Sequence, residues 1–191
     1  MVSPSTRILL ISGSLRAGST NTALLRTAQA VAPDGTRALI YEGLGRLPHF
    51  NPDDDIVPHH PAVSDLRTRI ADADALLFST PEYAGALPGS FKNLLDWTVG
   101  GGETYGLPVA WINASGSPTG AADAHRSLRT VLGYTGSDIV EQACAHIPVA
   151  RSAIGSDGLI ADQVIRREIA EVLRTLVFEV GNRVQPSGQL G

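Results

Sequence analysis

The segment Gly13-Ser-Leu-Arg-Ala-Gly-Ser-Thr-Asn21 concentrates residue types that recognise phosphate. Gly13 and Gly18 let a backbone turn tightly and come close to a ligand. Ser14, Ser19, Thr20, Asn21 and Thr22 offer hydroxyl or amide donors for phosphate oxygens, and Arg16 adds a planar charged fork. Helix formers begin at the end of the segment, over Asn21–Val31. The free N–H groups and dipole of that helix favour an anion at the same place. An ordinary strand-to-helix turn needs one or two such residues; this segment is far richer.

What the segment lacks narrows the phosphate chemistry. Gly13-x4-Gly18-Ser19-Thr20 comes near the loop that binds nucleoside triphosphates, but Ser19 stands where a Lys is required. The apolar run Ala75–Thr80 also ends without the Asp expected to hold Mg²⁺. No G-x-G-x-x-G follows Gly13, so a pyrophosphate fits less well than a single phosphate. A low-molecular-weight tyrosine phosphatase would need a nucleophilic Cys in this loop, and the one Cys, Cys144, lies far away.

The elements that must position this loop read as alternating strands and helices. Arg7–Ser12 holds the unbroken apolar run Ile8-Leu9-Leu10-Ile11 and ends at Gly13, as a strand buried on both faces does. Further strands are expected at Thr36–Glu42, Ala75–Thr80, Leu107–Ala114 and Asp138–Ile147, the last less apolar and nearer an edge. Helices are expected at Asn21–Val31, Pro61–Asp72, Gly89–Thr98 and Ala121–Leu132. A last helix carries Val164, Ile165, Ile169, Val172, Leu173, Leu176, Val177 and Val180 at core spacing. Gly43–His60, with three Pro and three consecutive Asp, reads as a long loop. This alternation implies a parallel sheet with helices on both faces. Five such units match the flavodoxin-like α/β three-layer sandwich of strand order 2-1-3-4-5, whose ligand crevice lies between strands one and three.

Composition sets the outer limits. A chain of 191 residues fits one domain, residues 1–184, followed by a Gly/Ser/Pro-rich tail at 185–191 expected to fray. The net charge of −4 and the lack of a long basic run argue against nucleic acid or an anionic membrane as partner. The single Cys144 permits no intrachain disulfide and suits a reducing cytoplasm. The polar stretch Met1–Thr6 does not resemble a signal peptide, and the apolar runs are strand-sized.

The loop after the third strand is the second unusual one. Pro81-Glu82-Tyr83-Ala84-Gly85-Ala86-Leu87-Pro88-Gly89 joins a rigid start, an aromatic, small residues and a Pro-Gly entry into a helix. Backbone N–H groups in such a loop can donate to a flat heteroaromatic edge while Tyr83 covers a face. Gly13-Ser-Leu-Arg16…Ser19…Asn21, followed by Pro81-Glu-Tyr-x4-Pro88-Gly89-x2-Lys92-Asn93-x2-Asp96-Trp97, resembles the NAD(P)H-dependent FMN reductase family, which includes quinone, azo-dye and chromate reductases. The likeness runs from about Arg7 to Leu132.

The resemblance implies a flavoprotein oxidoreductase that binds FMN and uses NADPH or NADH as co-substrate. Ser14, Arg16, Ser19, Thr20 and Asn21 would hold the FMN phosphate. Pro81, Glu82, Tyr83 and Ala84 would line the isoalloxazine ring, mostly through backbone groups. Ser115, Gly116 and Gly120 would form a third flavin-side loop. No protein residue would be catalytic, because the flavin carries the chemistry. The acceptor would be a small quinone, free flavin, azo compound or metal ion. A homodimer or homotetramer is implied, with Lys92, Asn93, Asp96 and Trp97 on a helix that often joins that contact. A flavodoxin-type electron carrier and a non-enzymatic flavin-binding redox sensor are the competing readings.

Other polar residues point to less. His49, His59 and His60 with Asp53–Asp55 match no regular ligand spacing, so no metal site is expected. That loop and Gly100-Gly101-Gly102 are expected near the pocket mouth. His125 and His146 read as structural residues with a hydrogen-bond partner, Cys144 as inert, and Trp111 as core.

Overall fold

A computed structural model describes residues 5–184, so the tail at 185–191 lies outside the described residues. Ile8, Leu9, Leu10 and Ile11 of the first strand, β1 (Thr6–Ser12), are all buried, as their unbroken apolar run requires. β1 pairs in parallel with β2 (Thr36–Ile40) on one side and β3 (Ala75–Ser79) on the other. β4 (Pro108–Asn113) adds to β3, and β5 (Asp138–Ile139) adds to β4, giving the order β2-β1-β3-β4-β5. The architecture is the flavodoxin-like α/β sandwich.

Helices cover both faces. α1 (Thr20–Ala30) and α5 (Gln163–Val184) bury Leu24, Leu25, Ile169, Leu173 and Leu176 against one face. α2 (Pro61–Ala71), α3 (Gly89–Asp96) and α4 (Ala122–Tyr134) bury Leu66, Phe91, Leu94 and Leu128 against the other. Helices α2 and α5 are capped by the residue just before them. His60 accepts from the N–H of Ala62 ahead of Pro61, and Asp162 accepts from Val164 and Ile165 at the head of α5.

The fifth strand departs from the expected Asp138–Ile147. It splits into β5 and a second two-residue strand, β6 (Ala145–His146), which also pairs with β4. Between them Glu141–Ala143 forms a 3-10 turn. Residues 140–144 lie opposite only Ala110 and Trp111 of β4, so the surplus chain must bulge out of the ladder. Cys144 therefore leaves the strand assigned to it. It is half-buried, and burial pushes its thiol up to about 11.

The long loop Gly43–His60 is anchored rather than loose. The Asn93 side chain accepts from the N–H of Phe50 (2.7 Å) and donates to the Pro48 carbonyl (2.8 Å), where Trp97 Nε1 also donates. Buried Arg67 pairs with Asp55 at 2.9 Å and Glu103 at 3.4 Å, and its Nε donates to the Trp97 carbonyl. His59 Nε2 lies 3.2 Å from the same guanidinium. The Asp- and His-rich stretch is thus a strap over α2 and α3.

Candidate functional site

The strap leaves the carboxyl ends of β1, β3 and β4 open, and a cleft of about 470 Å³ lies there. That volume suits a small-molecule site, which spans roughly 300–1,000 Å³. Three loops wall the cleft: Gly13–Ser19 after β1, Thr80–Pro88 after β3, and Ala114–Ala121 after β4. The expected residues Ser14, Arg16, Ser19, Thr20, Asn21, Pro81, Glu82, Tyr83, Ser115 and Gly116 all line it. Ala84 and Gly120 belong to the same loops but do not line it. Nor does any residue of Gly43–His60 or Gly100–Gly102, contrary to the expectation that they shape its mouth.

The first loop passes so close to β3 that a Cβ on Gly13 would sit 2.2 Å from Thr80 Oγ1, which only glycine avoids. Gly18 turns the chain through φ +66° into the helix. Ser12 steadies this passage, with its hydroxyl 2.9 Å from Thr22 Oγ1 and accepting from Ser14 N–H. Ser19 caps α1 from its own Oγ, accepting from the N–H of Thr22. The N–H groups of Thr20 and Asn21, at the head of α1, have no acceptor among the described residues. Ser79 Oγ donates to Asn21 Oδ1 at 2.9 Å, which leaves the Asn21 amide NH₂ without a partner among the described residues. Arg16 makes no ion pair among the described residues. Free N–H groups at a helix head, hydroxyls and an unneutralised guanidinium in one cleft form a donor set for a phosphate dianion.

The second loop closes on itself: Tyr83 and Ala86 exchange both backbone hydrogen bonds, at 3.0 and 3.1 Å. Ala84, at its tip, takes φ +51°. Tyr83 is half exposed beside the cleft. The Glu82 carboxylate turns away to α4, where Oε2 accepts from the N–H of Asp123 (2.9 Å) and Ala124 (3.0 Å).

The third loop is held by Asn113, which accepts from Ser115 N–H and donates to the Gly120 carbonyl, both at 2.9 Å. Gly120 packs under Ser115: a Cβ there would lie 1.9 Å from Ser115 Oγ. Beneath α4, His125 Nδ1 bonds the Ala121 carbonyl at 2.7 Å, and burial holds this imidazole below its usual pKa. His146 Nε2 bonds the Ser115 carbonyl at 2.8 Å. Trp111 is core, with Arg129 over its ring at 5.1 Å.

Sequence reasoning missed Asn113 and Arg151, both of which line the cleft. The position of Asn113 at the end of a buried strand just before Ser115 was a usable signal. Arg151 offered none, since only the path of the chain after β6 carries it to the cleft.

Comparison with known proteins agrees with this geometry. Residues 6–151 match the family described as NADPH-dependent FMN reductase. An NAD(P)H-dependent FMN reductase of Pseudomonas aeruginosa is 35% identical over 89% of this chain and 92% of its own length. A 2-hydroxy-1,4-benzoquinone reductase of a Burkholderia species is 33% identical over 84% and 88%. Among solved structures, FerB, a flavoenzyme NAD(P)H:(acceptor) oxidoreductase of Paracoccus denitrificans, superposes with a TM-score of 0.81 at 29% identity, covering 93% of this chain and 98% of that one. With the match over residues 6–151 and the Gly13–Asn21 and Pro81–Gly89 segments set around one cleft, this chain belongs to the NADPH-dependent FMN reductase family.

Proposed function

We propose that the cleft binds FMN with its phosphate at the head of α1, and that the protein reduces a small acceptor, a quinone first among them, with NADPH or NADH. The free N–H groups of Thr20 and Asn21 beside Arg16 carry this reading, because an anion is what they lack. The resemblance to a benzoquinone reductase supports the acceptor class. When bound, FMN supplies hydride acceptance from nicotinamide and onward delivery of two electrons.

The residues then have separable tasks. Ser14, Arg16, Ser19, Thr20 and Asn21 hold the phosphate, each charge-assisted bond contributing roughly 1.5–3 kcal/mol. Pro81, Glu82 and Tyr83 border the ring, the Glu82 N–H being the donor there without an acceptor among the described residues, Ala84 shapes the tip of the same loop, and the Tyr83 side chain shields the ring from solvent. Ser115 and Gly116 border the ring from the opposite loop, where Asn113 keeps the backbone in place. No side chain has to act as nucleophile or base. We infer a homodimer or homotetramer, supported by the exposed apolar Ile56 and Val57 on the strap and Val99 just after α3. We also place the protein in the cytoplasm as a single domain, in keeping with its lone Cys144. No described helix is long and apolar enough to cross a membrane.

Anaerobic mixing of the FMN-loaded protein with NADPH, and separately with NADH, tests the activity. Rapid loss of oxidised-flavin absorbance followed by its return on adding a benzoquinone is expected. A flavin that binds but is not bleached would make the protein an electron carrier or sensor instead.

A further inference from the structure

Helix α4 starts without a cap of its own. Its N-cap residue, Ala121, has no side-chain acceptor and sits at φ +60°, ψ 16°, a left-handed conformation that disfavours alanine. Among the described non-glycine residues only Ala84 shares a positive φ, and it lies at the tip of the facing loop. The acceptor that α4 lacks arrives from that facing loop: the Glu82 carboxylate takes the N–H groups of Asp123 and Ala124, more than 40 residues onward in the chain. Glu82 itself lines the cleft, as does Ala121. A single carboxylate therefore spans the two loops between which the flavin ring belongs.

We infer that Glu82 is a positioning residue that sets the width of the ring site by clamping the Pro81–Pro88 loop to the head of α4. This rests on the FMN reading of the cleft. The side chain does so through α4 rather than by touching the ring. Two bonds to a charged acceptor at a helix head hold the loop more firmly than its own Tyr83–Ala86 pairing, which leaves it free to swing as a unit. The clamp also neutralises the positive end of α4, which leaves the head of α1 as the one open anion site of the two.

The experiment compares wild type, Glu82→Ala and Glu82→Gln by FMN titration, riboflavin titration and hydrogen exchange of the apoprotein. In Glu82→Ala the amides of Asp123 and Ala124 lose protection. Affinity for FMN and for riboflavin falls by the same factor, about five- to tenfold, as loss of a helix cap converts. The ratio of FMN to riboflavin affinity stays at the wild-type value, since the phosphate grip is elsewhere. Glu82→Gln, whose amide oxygen still accepts from both N–H groups, restores most of the affinity. Should Glu82→Ala not fold, Glu82→Asp, one methylene short of the helix, carries the same comparison. Loss of amide protection with unchanged flavin affinity would reduce Glu82 to a helix cap and overturn the inference. Unchanged protection would remove the clamp itself. If wild type binds neither flavin, the FMN reading falls and takes this inference with it, whereas normal wild-type binding with an equally tight Glu82→Ala rejects the Glu82 role alone.

Discussion

Helices α1 and α4 both begin at the cleft, yet their first turns are satisfied in opposite ways. In α4, Ala122 N–H bonds the Thr119 carbonyl, and Glu82 takes Asp123 and Ala124. In α1, the Ser19 hydroxyl takes only Thr22 N–H, and the N–H groups of Thr20 and Asn21 have no acceptor among the described residues. One helix head is closed by the protein's own carboxylate, and the other keeps two N–H groups without an acceptor among the described residues. Of two helix heads that could each attract an anion, only that of α1 stays open, which is what gives the proposed FMN site its orientation.

Making α1 resemble α4 should produce the largest effect. Thr20→Glu places a carboxylate where we propose the FMN phosphate sits, and two such charges about 4 Å apart repel by roughly 4 kcal/mol at the effective dielectric of a protein surface. FMN affinity should fall about 10²–10³-fold by titration while the melting temperature holds or rises slightly, since an acidic residue suits a helix head. Unweakened FMN binding would erase the contrast between the two helices.

Loosening the α4 side should do less. Asn113→Ala removes the acceptor of Ser115 N–H and the donor to Gly120, and should lower stability by about 1–3 kcal/mol in urea unfolding. Smaller still is relief of the left-handed Ala121. Ala121→Gly should stabilise by up to ~1–2 kcal/mol, raising the melting temperature by a few degrees. A drop would mean that the Cβ of Ala121 contributes packing greater than the strain.

The smallest effect is on pH dependence. Burial, the main cause, lowers the His125 pKa against the opposing Ala121 hydrogen bond and the Glu82 charge, with His146 adding to the lowering. The unfolded chain then takes up a proton more readily than the folded one. This residue's contribution to stability is whole above about pH 6.5 and shrinks as pH falls from there toward the lowered folded value. His125→Asn should flatten the stability profile in that window while leaving it unchanged near pH 8.

The same contrast separates what the sequence discloses from what it hides. The head of α1 is local: Gly13 to Asn21 carry the turn, the donors and the helix start within one stretch, so its geometry is readable. The Glu82 clamp joins positions about 40 apart and has no local signature; in the sequence Glu82 stands only as a ring-lining residue of its loop, and nothing there points to α4. Unbroken apolar runs marked β1, β3 and β4, which are buried on both faces. Asp138–Ile147 looked continuous because Ile139, Val140, Ala143 and Ile147 are apolar, but only its ends find partners on a β4 too short to pair the middle. Gly43–His60 was legible as a loop from its prolines, whereas its anchors Asn93, Trp97 and Arg67 come from two helices downstream. Asn93 and Trp97, implied by the resemblance to serve a subunit contact, are engaged within the chain by that strap.

The central claim, a phosphate held at the head of α1, is tested most directly by the affinities of wild type and Arg16→Ala for FMN and riboflavin. Wild type should prefer FMN strongly, and Arg16→Ala should weaken FMN by about 10–100-fold while leaving riboflavin unchanged. Equal affinity of wild type for the two flavins, or an FMN affinity indifferent to Arg16, would contradict it.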